Sequence, residues 1–98
     1  MAALASLIKP LSKGLSPTAF IDVGEGSAPQ GLAQAADGTM WFTESKADRI
    51  GQITSTGMVV VRLNLPTGTW PDHLAIAPNG DVWWTEYYAD RVARLHPQ

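Results

Sequence analysis

Short runs of apolar and β-favouring residues follow one another along most of this chain, each closed by Gly, Pro, Asn or Asp. The spacing is too short for helices and reads as strands with turn punctuation. Gly31–Ala36 forms an apolar run that ends at Asp37-Gly38, a hairpin turn in which Gly supplies a positive φ. Thr39–Glu44 follows as a second strand rich in aromatic and β-favouring residues. Ser45–Asp48 is a four-residue loop, Arg49–Thr54 a third strand and Ser55–Gly57 a turn. Met58–Leu65, with the β-branched run Val59-Val60-Val61, is a fourth strand, and Pro66–Trp70 is a link. Beyond it the pattern predicts strands over Leu74–Ala77, Asp81–Glu86 and Arg91–Leu95.

The elements repeat. Pro29, Leu32 and Ala33 recur as Pro71, Leu74 and Ala75, and Asp37-Gly38 as Asn79-Gly80. Trp41-Phe42-Thr43-Glu44 recurs as Trp83-Trp84-Thr85-Glu86, and Ala47-Asp48-Arg49-Ile50 as Ala89-Asp90-Arg91-Val92. Every pair stands 42 positions apart, with no insertion. A period of about 40–45 residues with four short strands is that of one propeller blade. The fourth strand of the second repeat is missing, but Thr18–Val23 stands 42 positions before residues 60–65. The expected fold is all-β: two four-stranded antiparallel blades in permuted strand order. The expected division is a 1–14 extension, a 15–56 repeat (outer strand 18–23, then three inner strands) and a 57–98 repeat.

Composition narrows the function. Hydrophobic residues make up 45% of the 98 positions and charged residues 16%, which excludes a disordered charged tail. A net charge of −2 leaves no basic surplus for phosphates, so nucleic acid is not an expected partner. There is no Cys, so no disulfide holds the fold. No apolar run approaches the roughly 20 residues of a membrane-spanning helix.

Glu44 and Arg49 flank the Ser45–Asp48 loop symmetrically, and Glu86 and Arg91 repeat the arrangement. Each is read as a cross-strand structural ion pair worth a few tenths to about 1 kcal/mol. Asp48 and Asp90 are read as turn residues bonding back to their own loops. Trp41, Phe42, Trp83 and Trp84 are expected in the packing between blades. Trp70, Asp72, His73, Tyr87 and Tyr88 fall on loops expected at one face, and form the candidate ligand-binding patch. His73 and His96 are the only histidines, and no metal-ligand spacing joins them, so a single chain offers no metal site. Symmetry-related copies of His73 or Asp72 around a channel could make one.

Pro-x-x-Leu-Ala, then Asp/Asn-Gly, Trp-Phe/Trp-Thr-Glu and Asp-Arg-Ile/Val, resembles the blade pattern of the virginiamycin B lyase (streptogramin lyase) family. The resemblance covers residues 29–98. It implies single-chain β-propellers of six or seven blades, and a metal-assisted elimination that opens a cyclic depsipeptide. Magnesium is the cofactor only on that lyase reading; none is otherwise evident. In the family a catalytic His directly follows the Pro that opens a blade. Here Asp72 follows Pro71 and His73 stands one place later, so His73 is the candidate catalytic residue.

Two blades cannot close a ring, and a lone copy would leave strand edges unpaired. The expectation is therefore a self-assembling module in which Thr18–Val23 completes the unfinished blade of the next copy. A six-bladed homotrimer is preferred over an eight-bladed tetramer. Lyase activity in the assembled ring is one alternative. A structural subunit of a larger complex is the other, docked through residues 1–14; Leu4, Leu7, Ile8, Leu11 and Leu15 lie at helical spacing interrupted by Pro10.

Overall fold

The structure, a computed structural model, describes residues 15–97; the extension expected over 1–14 lies outside them. Seven strands make up its regular structure: β1 (Pro29–Gln34), β2 (Met40–Glu44), β3 (Arg49–Ile53), β4 (Val59–Asn64), β5 (Pro71–Ile76), β6 (Val82–Glu86) and β7 (Arg91–Leu95). They form two antiparallel meanders, a four-stranded sheet β1-β2-β3-β4 and a three-stranded sheet β5-β6-β7. Among the described residues no helix is long and apolar enough to cross a membrane.

The hairpin turns repeat in detail. Gly38 donates to the Ala35 carbonyl and Gly80 to the Ala77 carbonyl, both at 2.9 Å. Both glycines have positive φ, 89° and 92°, where a Cβ would be strained. The first and second strands of each sheet also share a bulge. Pro29 faces Glu44 but Leu32 faces Phe42, so Gln30 and Gly31 oppose Thr43 alone. Asp72 and His73 oppose Thr85 in the same way. A bulge strands a backbone amide, and the threonine hydroxyl supplies its partner. Thr43 Oγ1 accepts from Gly31 N–H at 2.8 Å, and Thr85 Oγ1 from His73 N–H at 3.0 Å.

The sheets pack face to face. Trp41 and Ile50 from the first sheet meet Val82 and Trp84 from the second, with Leu63, Leu65, Leu74, Ala93 and Leu95 around them. Burying each large apolar side chain stabilises by about 1.5–3 kcal/mol. Alternation along a strand puts neighbouring residues on opposite faces. So Trp83 points away from this core: it is 39% exposed where its repeat equivalent Trp41 is 3%. The expectation that all four aromatic residues of the Trp-Phe/Trp motifs are buried between blades fails at Trp83, because the face it occupies has no sheet against it.

The second sheet has three strands, in keeping with the fourth strand missing from the second repeat, and Thr18–Val23 carries no strand pairing among the described residues. The reason is geometric. The edge such a strand would join is the free edge of β7, and Ile21 and Val23 instead border a hollow beside Pro29, Leu32, Phe42 and Ile53 on the outer face of the first sheet. The sheets run across the 15–56 and 57–98 repeats, as the permuted strand order requires. β4, which falls in the second repeat, is hydrogen-bonded to β3.

Candidate functional site

The β2–β3 loop, the β6–β7 loop and the linker between the sheets all lie at one end of the sandwich, because an antiparallel meander returns the chain there after every second strand. At this end Glu44 and Arg49 are Cα partners, and so are Glu86 and Arg91. Their side chains meet at 2.8 Å and 2.7 Å. Both carboxylates are buried while the guanidinium groups reach partly into water. Glu86 has a second partner: its Oε2 accepts from the Trp84 indole N–H at 3.0 Å.

The Asp48 carboxylate bonds to the linker and not back to its own loop. Its Oδ1 accepts from Trp70 N–H at 2.7 Å and its Oδ2 from Gly68 N–H at 2.9 Å. The carboxylate thus clasps the linker that leads into the second sheet. Both amides point at it because Gly68 and Trp70 have positive φ, 86° and 54°. Charge-assisted bonds of this kind are the stronger class. Nearby, Thr43 Oγ1–H donates to the Asp72 carbonyl at 2.7 Å, and the Ser45 hydroxyl to the Pro71 carbonyl. These three side chains tie the first sheet to the start of β5. Motif reading missed Thr43 and Ser45 and gave Asp48 to the wrong loop, since all four bonds span 20 residues of sequence or more.

The patch of Trp70, Asp72, His73, Tyr87 and Tyr88 divides into two groups. Tyr88 makes edge contacts with Trp70 and Tyr87, at centroid distances of 5.6 Å and 4.9 Å. Asp72 and His73 sit together on the β5 bulge, with Oδ2 and Nδ1 3.6 Å apart. The His73 side chain is 85% exposed, and Asp72 Oδ1 is buried without a partner. Among the described residues no three His, Cys, Asp or Glu side chains converge on a common point. The two donors of Asp72 and His73 do not by themselves fit a metal, and no step through one is derived.

A second carboxylate site lies at the opposite end. Asp81, buried, meets His96 Nδ1 at 2.5 Å and lies 3.8 Å from the Arg94 guanidinium. The His96 hydrogen bond foremost, then the Asn79 bond and the charges of His96 and Arg94, hold its pKa below the ordinary 3.8, against burial, which raises it. A carboxylate with a lowered folded pKa contributes stability that is present above its unfolded value and lost as pH falls through the folded value. The melting temperature of the wild-type chain should therefore fall more steeply than that of Asp81→Asn from about pH 4 downward, as followed by circular dichroism. Parallel acid limbs would exclude the assignment.

Two stacked antiparallel sheets, each a meander entered through a bulged inner strand, are blades of a β-propeller. The chain belongs to the virginiamycin B lyase family, whose model matches residues 11–98. Virginiamycin B lyase from Staphylococcus aureus superposes with a TM-score of 0.71 at 28% identity, over 79% of this chain and 26% of that one. A catalytically inactive variant of the same lyase, with quinupristin, gives 0.69 at 35% identity, over 74% and 25%. A streptogramin B lyase gives 0.62 at 25% identity, over 72% and 27%. This chain therefore spans about a quarter of the solved lyases it resembles. Comparison with curated protein sequences finds no match.

Proposed function

We propose that this chain is a two-blade module that associates head to tail with further copies of itself into a closed propeller ring, with a six-bladed homotrimer favoured over an eight-bladed tetramer. One observation carries the reading: each face that the single chain leaves open is the repeat equivalent of a face that it covers. On the second sheet Trp83 and Val92 share the open face, and their equivalents Trp41 and Ile50 are the buried contact of the first sheet. On the first sheet the outer face carries exposed Leu32, and its equivalent Leu74 lies against the core. Leu32, Val61 and Val92 are 62%, 45% and 64% exposed, a large apolar surface for a chain of this size. Among the described residues the β7 edge and the Thr18–Val23 segment are both unpaired, and they complement each other in the same way. A second copy satisfies both surfaces at once, through a heterologous contact that closes by rotation.

Ligand binding in such a ring falls to the loop end, where Trp70, Tyr87 and Tyr88 present aromatic faces beside Asp72 and His73. The lyase reading has family membership behind it, with His73 as its candidate group on the strand nearest the ring axis. It has less support from the residues, since Asp72 holds the place after Pro71. Multi-angle light scattering on the purified chain is the test. The expected mass is three times the chain mass of 10.5 kDa. A monomer across the accessible concentration range would remove the ring.

A further inference from the structure

We propose that Asp90 of one copy clasps the backbone amides of Gly26 and Ala28 in the next copy, and that this clasp fixes the junction between chains. The inference rests on the head-to-tail reading above.

Within the chain, the Asp48 clasp has two halves: a carboxylate on the β2–β3 loop, and a linker whose amides converge on it. Each half has a repeat equivalent, and the two equivalents do not meet in one copy. Asp90 is the equivalent of Asp48, and the two share the same left-handed backbone, with φ of 54° and 55°. Among the described residues the Asp90 carboxylate makes no hydrogen bond or ion pair. Gly26 and Ala28 are the equivalents of Gly68 and Trp70. Gly26 has φ of 73° and Ala28 of 51°, so the same pair of left-handed conformations is built here too. An alanine at positive φ is uncommon and costs free energy that something must offset.

The rest of that loop is also set. Ser45 donates its amide to the Ala28 carbonyl at 3.1 Å, as Tyr87 donates to the Trp70 carbonyl at 3.0 Å. The Ser27 hydroxyl bonds back to the Gly24 carbonyl, as Thr69 bonds to Pro66. Every bond of the loop to its own blade is thus repeated, and the carboxylate is the one part not supplied. Among the described residues nothing accepts from Gly26 or Ala28 N–H. The segment before this loop agrees. Ile21 and Val23 border the outer face of the first sheet beside Phe42, as their equivalents Leu63 and Leu65 lie against the cluster that holds Trp84. Thr18–Val23 and the Gly24–Ala28 loop therefore already hold the arrangement that β4 and its linker adopt after docking to a blade. A neighbour ending in β7 and Asp90 is the occupant that fits both. Carboxylate oxygens and converging amides are complementary in charge as well as in shape.

The test is Asp90→Gly, which removes the carboxylate while tolerating the positive φ of its position. Sedimentation velocity over a dilution series should show the dissociation constant of the assembly raised about tenfold or more, as expected for losing charge-assisted hydrogen bonds. The melting temperature of the dilute monomer should stay unchanged. Asp48→Gly should do the opposite, lowering the monomer melting temperature, because its clasp is internal. Asp90→Asn, which keeps one acceptor oxygen, should fall between wild type and Asp90→Gly. A wild-type assembly whose dissociation constant Asp90→Gly leaves unchanged overturns the clasp and leaves the ring standing. A wild-type chain that never associates overturns the ring, and the clasp with it.

Discussion

Gly31→Val should be among the most damaging single substitutions in the described chain. A Cβ at this position would lie 2.6 Å from the Asp72 carbonyl oxygen and 2.9 Å from the Leu74 amide nitrogen. Both are backbone atoms of β5, so no side chain can swing aside, and the inner strands of the two sheets must separate. Separation also breaks the Thr43 bond to the Asp72 carbonyl and loosens the Trp41–Trp84 core. Overpacking of a fixed site costs about 3 kcal/mol. For a domain of this size that lowers the melting temperature by roughly 10–20 °C. A thermal melt that matches wild type would show that the sheets tolerate a wider spacing. The repeat makes the result informative in reverse, because His73 stands where Gly31 stands. In the proposed ring the inner strands at the junction between copies would therefore sit further apart than they do within a chain. His73→Gly removes that spacer and should tighten association in the same sedimentation experiment.

Glu86→Ala should cost about 2–4 kcal/mol, well above the ordinary worth of a surface ion pair. Glu86 is buried, with Oε1 facing Arg91 and Oε2 accepting from the Trp84 indole. Arg91 loses little, since most of its side chain is in water. Trp84 loses more: its N–H is left in the core with no partner, and an orphaned buried donor costs about 1–3 kcal/mol. The small cavity left by the missing carboxylate adds to this. Urea unfolding followed by Trp fluorescence measures the loss, and Glu86→Gln, whose amide oxygen can still accept from the indole, should recover part of it. Equal stability for Glu86→Ala and wild type would mean that water replaces the carboxylate and that Trp84 is less enclosed than its burial indicates.

These two residues mark where sequence reading stops. The Glu86–Arg91 register could be read from the symmetric flanks of a four-residue loop, because hairpin register is a local property. The Trp84 partner and the burial of the carboxylate could not, because both depend on the first sheet lying across that face. Gly31 has the same history. Its place before Leu32 could be read, but the need for Gly arises from β5, some 40 residues away. The patch was expected on loops, but Asp72 and His73 lie on β5, apart from the aromatic group of Trp70, Tyr87 and Tyr88, because the strand begins at Pro71.

The sequence by itself determined the seven strands, the turn glycines, the 42-residue period and the two-blade architecture, because alternation and turn chemistry act over a few neighbouring residues. The tertiary structure alone decided which apolar faces are covered, which carboxylates are buried, where Asp48 reaches, and that Thr18–Val23 pairs with no strand among the described residues. Those outcomes depend on what lies across a sheet or beyond its edge. A repeat gives both blades the same pattern of faces, but only a stacked neighbour buries one, and a single copy supplies one such contact.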